Sequence, residues 1–141
     1  MKKTIILGLI TILLVPLLVM GCGAGTKTTI ELSLDDFAKQ NNMVKNITVS
    51  PHGIITVTLG SNASTGYQWG EAAIGDTSKV AEATRQFVEP TQEGIAGAPG
   101  KDVWTFDAKA AGSTTITFSY SRPWEGGEQD TYTLTINVTV K

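Results

Sequence analysis

Thr131-Tyr132-Thr133-Leu134-Thr135-Ile136-Asn137-Val138-Thr139-Val140 alternates polar and apolar residues at every step. A period of two puts Tyr132, Leu134, Ile136, Val138 and Val140 on one face of an extended chain, with the threonines and Asn137 on the other. That is the pattern of a strand with one buried face. Thr114 to Tyr120 alternates in the same way through Ile116, Phe118 and Tyr120. Val103 to Ala108 sets Trp104 and Phe106 on one face, and Lys109-Ala110-Ala111-Gly112 turns the chain between these two runs. Val80 to Val88 is a further strand candidate. Lys45 to Val49 and Ile54 to Leu59 flank Ser50-Pro51-His52-Gly53, punctuation that reads as a hairpin between β-branched runs. Thr28 to Leu34 places Ile30, Leu32 and Leu34 on one side, and Asp35 to Gln40 follows as a helical turn. The expected fold is an all-β antiparallel sandwich of about seven or eight strands, with Trp69 and Trp104 in its core.

The chain has 141 residues, 41% hydrophobic and 17% charged, which is room for one domain with an ordinary core. A net charge of -2 and the lack of any Lys/Arg run beyond the first residues argue against nucleic acid as a partner. Lys2 and Lys3 followed by the apolar stretch Ile5 to Met20 form a targeting segment rather than part of the fold. It closes on Val19-Met20-Gly21-Cys22, which resembles a bacterial-type lipoprotein box, with Cys22 as the lipid-bearing residue. The rival is an uncleaved transmembrane helix, because the run approaches the roughly 20 residues that cross a bilayer. Either anchor leaves the domain exposed on the extracytoplasmic side of the cell membrane. The expected organisation is a signal segment over 1–22, a linker over 23–27 and a sandwich over 28–141. Cys22 is the one cysteine, so no intramolecular disulfide can form and the core must hold the domain.

Three loop-like stretches interrupt the strand pattern: Asn62-Ala63-Ser64-Thr65-Gly66-Tyr67, Gly97-Ala98-Pro99-Gly100 and Arg122-Pro123-Trp124. In a small sandwich, alternate turns emerge at one end and can form a single contact surface. Gly66 permits a positive φ, and Asn62, Ser64 and Thr65 can bond nearby peptide groups, which stiffens the first loop. Arg122 and Trp124 are of the two residue types most enriched at interface hot spots, held beside a proline. The segment from Glu93 to Lys101 is rich in Gly and Ala and suits an extended contact along a partner.

In their order, and with Tyr67-Gln68-Trp69 after the first, these motifs resemble the chagasin family of proteinaceous inhibitors of papain-like cysteine proteases. The likeness spans roughly residues 46 to 140. It implies an immunoglobulin-like sandwich that acts as a monomer, without cofactor or metal, and occludes the protease cleft reversibly with three loops. It places Ser64 and Thr65 nearest the enzyme's catalytic Cys and His, and Trp124 against an aromatic patch beside them. Two departures from the family pattern stand out. Ala63 replaces a proline, losing about 0.4–1 kcal/mol of preorganisation, and Pro99 replaces a glycine in the second loop.

Catalysis by the chain itself is not expected. His52 is the one histidine and sits in a turn, while Cys22 lies at the membrane, so neither a Cys-His pair nor a His-ligated metal site can be assembled. Asp35, Asp36, Glu125, Glu128 and Asp130 read as surface carboxylates. A different class of function is a tethered adhesion or carbohydrate-binding module that stacks Trp124, Tyr67 or Trp69 on a ligand. Asn46-Ile47-Thr48, Asn62-Ala63-Ser64 and Asn137-Val138-Thr139 match the glycosylation pattern. A glycan on Asn62 would obstruct the first loop, so that site is expected to be unmodified.

Overall fold

The computed structural model describes residues 25–91 and 97–141. The signal segment with Cys22, and Glu93 to Ala96 of the second loop, lie outside the described residues.

Inward-facing apolar residues at every second position build two facing sheets. In the first, the order is β1 (Lys27–Leu32), β3 (Ile54–Ser61), β7 (Gly100–Ala108), β6 (Val80–Val88). In the second it is β2 (Asn42–Val49), β9 (Tyr132–Val140), β8 (Gly112–Ser121), β4 (Gln68–Trp69), with β5 (Ala73–Ile74) also on β8. Ile55, Val57 and Leu59 of β3 and Trp104 and Phe106 of β7 meet Ile116 and Phe118 of β8 and Leu134, Ile136 and Val138 of β9, all buried. Each such side chain removed from water contributes about 1.5–3 kcal/mol. Trp69 and Trp104 are both core residues, as the sequence leads one to expect.

Two expectations are corrected. The sandwich is mixed rather than antiparallel: β1 pairs with β3 in parallel, and β2 with β9 likewise. Alternation along one strand carries no information on the direction of its neighbour. Nor do β2 and β3 form a hairpin, since they belong to opposite sheets. Ser50-Pro51-His52-Gly53 still makes a tight turn, with Gly53 N donating to Ser50 O at 2.9 Å and His52 at φ 64. The chain uses it to cross the sandwich, because Ile55, Val57 and Leu59 bury against β8 and β9 from the other side. Of the nine strands among the described residues, β4 and β5 have two residues each, and the remaining seven match the expected count.

A short helix, α1 (Leu34–Lys39), carries the chain from β1 to β2. Ser33 caps it: its hydroxyl accepts from Asp36 N at 3.2 Å, and Asp36 Oδ2 accepts from Ser33 N at 2.9 Å. The bonds that the Asp36 carboxylate accepts, from Ser33 N and from Ser33 Oγ at 2.7 Å, hold it below its ordinary value of 3.8. Phe37, fully buried, anchors α1 between Trp69, at 5.1 Å between ring centroids, and Tyr132, at 5.5 Å.

Candidate functional site

β3 ends, β7 begins and β8 ends at the same pole of the sandwich. The three loops therefore meet there, as the sequence predicts. Asn62 is their joint. Its Oδ1 accepts from Ser64 N at 3.2 Å and Ser64 Oγ at 2.6 Å, closing a 3-10 turn over Ala63–Thr65. Its Nδ2 donates to Gly97 O at 3.1 Å, tying the first loop to the second. Its backbone N donates to the Tyr120 hydroxyl at 3.0 Å, tying the loop to the core.

The remaining bonds of the 3-10 turn are internal. Thr65 Oγ1 donates to Asn62 O at 2.6 Å, and Gly66 N donates to Ala63 O at 3.1 Å. The carbonyls of Asn62 and Ala63 are thus occupied inside a tight turn instead of being offered along an extended chain. Gly66 leaves the turn at φ 80, and a Cβ there would collide with the indole of Trp124. The first and third loops are consequently packed on each other.

Trp124 is 51% exposed, so it projects from the pole. Arg122 holds the loop behind it. The guanidinium carbon stands 4.4 Å from the Tyr67 ring centroid and 5.8 Å from that of Trp124, contacts worth about 0.5–2 kcal/mol each according to desolvation. Its Nε is buried without a hydrogen-bond partner among the described residues, so the ring faces are its surroundings. Glu128, from the same loop, lies 3.7 Å from Arg122 Nη1 and accepts a hydrogen bond from the Tyr67 hydroxyl. Arg122 N also donates to Glu128 O at 2.8 Å. Tyr67 stacks on Tyr120 at 5.5 Å, and Tyr120 on Tyr132 at 5.8 Å, so an aromatic ladder runs from the loops into the core.

Most of the expected contact residues lie on this surface. Ala63, Ser64, Thr65, Gly97, Pro99, Pro123 and Trp124 are exposed, while Asn62, Gly66, Tyr67, Ala98 and Arg122 are half-buried behind them. Gly100 is the correction. It is buried as the first residue of β7, paired with Ser61, and a Cβ on it would strike the Phe87 ring. Its part is to let Phe87 close over the sheet edge, and it offers no surface to a partner. Tyr120 and Glu128 have positioning roles that sequence reasoning missed. A carboxylate six residues beyond an arginine in one loop was the available sign for Glu128; nothing local marks Tyr120. No group of three or more metal-ligating side chains occurs among the described residues, and no helix among them is long and apolar enough to cross a membrane.

A rigid sandwich whose exposed tryptophan and hydrogen-bonded loops converge at one pole, with no nucleophile-base pair among them, defines a protein-binding module. The chagasin family model of peptidase inhibitors matches residues 48–137. Amoebiasin-2 of Entamoeba histolytica is 33% identical over 93 residues, covering 66% of this chain and 75% of that protein. The crystal structure of the cysteine protease inhibitor EhICP2, from Entamoeba histolytica, superposes with a TM-score of 0.61 at 28% identity, covering 82% of this chain and 97% of that one. PbICP-C, solved in complex with falcipain-2, shares the fold at 18% identity, with a TM-score of 0.59 over 81% of this chain and 99% of that one. The chain belongs to the chagasin family of peptidase inhibitors, whose members inhibit proteases and are not enzymes. Its sandwich is of the immunoglobulin-like type found in those inhibitors.

Proposed function

We propose that this chain is a reversible, non-covalent inhibitor of papain-like cysteine proteases that acts as a monomer, tethered to the cell membrane through Cys22. The observation that carries the inhibitory reading is the hydrogen-bonded first loop beside Trp124 at one pole. A protease of this class cuts a chain that it holds extended. A 3-10 turn whose carbonyls already accept internal hydrogen bonds cannot be drawn out that way without first losing them. The loop can fill a cleft and survive, and because it is already ordered it loses little entropy on binding.

Under this reading Ser64 and Thr65 occupy the cleft, Trp124 packs on an aromatic surface to one side, and Gly97 to Pro99 contact the other. The tether supplies location and takes no part in inhibition. The test is a competition assay in which papain cleaves a small fluorogenic peptide in the presence of increasing amounts of the protein. The expected result is a rise in apparent KM with unchanged kcat, reversed by dilution. Absence of inhibition at high micromolar concentration would sink the reading in favour of an adhesion module.

A further inference from the structure

The topology fixes where the chain enters the sandwich. β1 runs parallel to β3, with Lys27 opposite Ile54 and Leu32 opposite Leu59. The entry point is therefore the pole farthest from the loop that follows Ser61. Thr26 is stitched to that pole: its N donates to Ser50 Oγ at 2.9 Å, its Oγ1 accepts from Ser50 N at 3.0 Å, and its carbonyl accepts from Ile54 N at 2.8 Å. The eight residues of β3 separate the two poles by about 26 Å at 3.3 Å per residue. The five steps from Cys22 to Lys27 span at most about 18 Å. A chain anchored at Cys22 cannot reach round to the loops.

The two poles also differ in charge. Lys27, Lys79, Lys109 and Lys141 lie at the entry pole, and no carboxylate among the described residues forms an ion pair with any of them. Lys109 N donates to Lys79 O at 2.7 Å, which brings those two together. Asp76 and Asp107 share this pole; Asp76 accepts from the Ser78 hydroxyl at 2.6 Å and lies within the influence of Lys79, so the four lysines face two carboxylates. The loop pole carries Asp35, Asp36, Glu89, Glu125, Glu128 and Asp130 against Lys39 and Arg122, with Lys101 there paired to Glu31. An anionic surface would attract the first pole and repel the second.

We infer that the entry pole rests on the anionic headgroups of the membrane and that the three loops are thereby presented outward, toward soluble proteases. This rests on the tethered-inhibitor reading above. It assigns the lysines a partner, a bilayer surface bearing phosphatidylglycerol-type phosphates, and gives the inhibitor one working orientation.

The experiment uses the full, membrane-processed chain reconstituted in vesicles of phosphatidylglycerol and phosphatidylcholine in equal parts. With Cys22 acylated, a cysteine introduced by Ala110→Cys at the entry pole or Glu125→Cys at the loop pole is the single free thiol for a fluorophore. A headgroup-level quencher is expected to dim the label at position 110 and spare that at 125, while the unlabelled, unsubstituted protein on vesicles inhibits papain with the same constant as in detergent. Replacing Lys27, Lys79, Lys109 and Lys141 by Gln should reduce quenching at 110 to the level seen on pure phosphatidylcholine. Quenching at 125 above that at 110, or inhibition lost on vesicles, overturns the orientation alone. Equal quenching at 110 on both vesicle types overturns the role of the lysines. Protein recovered in the soluble fraction with an unmodified Cys22 thiol overturns the tether, and the orientation with it.

Discussion

Asn62 serves the turn, the second loop and the core with three separate polar groups. The adjacent position is less well used. Ala63 begins the 3-10 turn, its N donates no hydrogen bond among those of the described residues, and Asn62 before it is extended at φ -132 and ψ 90. A proline at 63 meets every requirement: a first-turn position, no donor lost and an extended predecessor. Ala63→Pro is expected to stabilise the protein by about 0.4–1 kcal/mol by restricting the unfolded chain, and to leave inhibition of papain nearly unchanged because the folded turn is already ordered; denaturation and inhibition titrations on the same variant check both. Trp124→Ala, by contrast, should cost only about 0.5–1 kcal/mol of stability, through the lost Arg122 contact, and weaken inhibition by about 2 kcal/mol, the effect of losing an aromatic anchor. Unchanged affinity would place Trp124 outside the interface. Much at this scale was legible beforehand, because Trp124 follows a proline just past a strong strand and Gly66 closes a polar turn. Gly100 was not, since a glycine reads alike in a loop and at the start of a strand, and what decides its role is Phe87, thirteen residues earlier in the chain.

Among the elements, α1 depends most on a few side chains, having six residues and no length to stabilise it. Its capping box needs an ionised Asp36. Because the folded carboxyl is held below 3.8 by its bonds from Ser33, the box stabilises the helix above that value. The contribution is lost as pH falls through the lower, folded pKa. An acid titration followed at the Ser33 and Phe37 amides should give a midpoint below 3.8; a midpoint at or above it would show that the box does not form in solution. Phe37 is the second support, and Phe37→Ala should cost about 3–5 kcal/mol in urea unfolding, as expected for an aromatic removed from a packed core. The strands themselves were readable because each long one alternates between core and solvent. Their partners were not. The turn at residues 50–53 would look the same in a hairpin as at a corner between sheets, and two-residue strands such as β4 have no period to detect.

For the whole molecule, the question is how a core without disulfides among the described residues keeps three loops in register at its pole. The aromatic ladder answers it. Tyr120, 3% exposed, stacks between Tyr67 and Tyr132 and lies 4.9 Å from the Trp69 ring, while its hydroxyl accepts from Asn62 N. One side chain therefore belongs both to the core and to the joint of the contact surface. Tyr120→Phe keeps every ring contact and removes this acceptor. The Asn62 N–H is half-buried, so water can replace part of the bond, and the expected loss of stability is about 1 kcal/mol, the lower end of the range for an unsatisfied donor. Inhibition should weaken at the same time, because the Asn62 side chain that positions the 3-10 turn and Gly97 loses its fixed backbone. The variant separates two accounts of the pole. If loop geometry is set by the core, stability and inhibition fall together, and amide exchange rises at Ser64 and Thr65. If the loops hold one another without the core, unfolding shifts while the inhibition constant stays where it was.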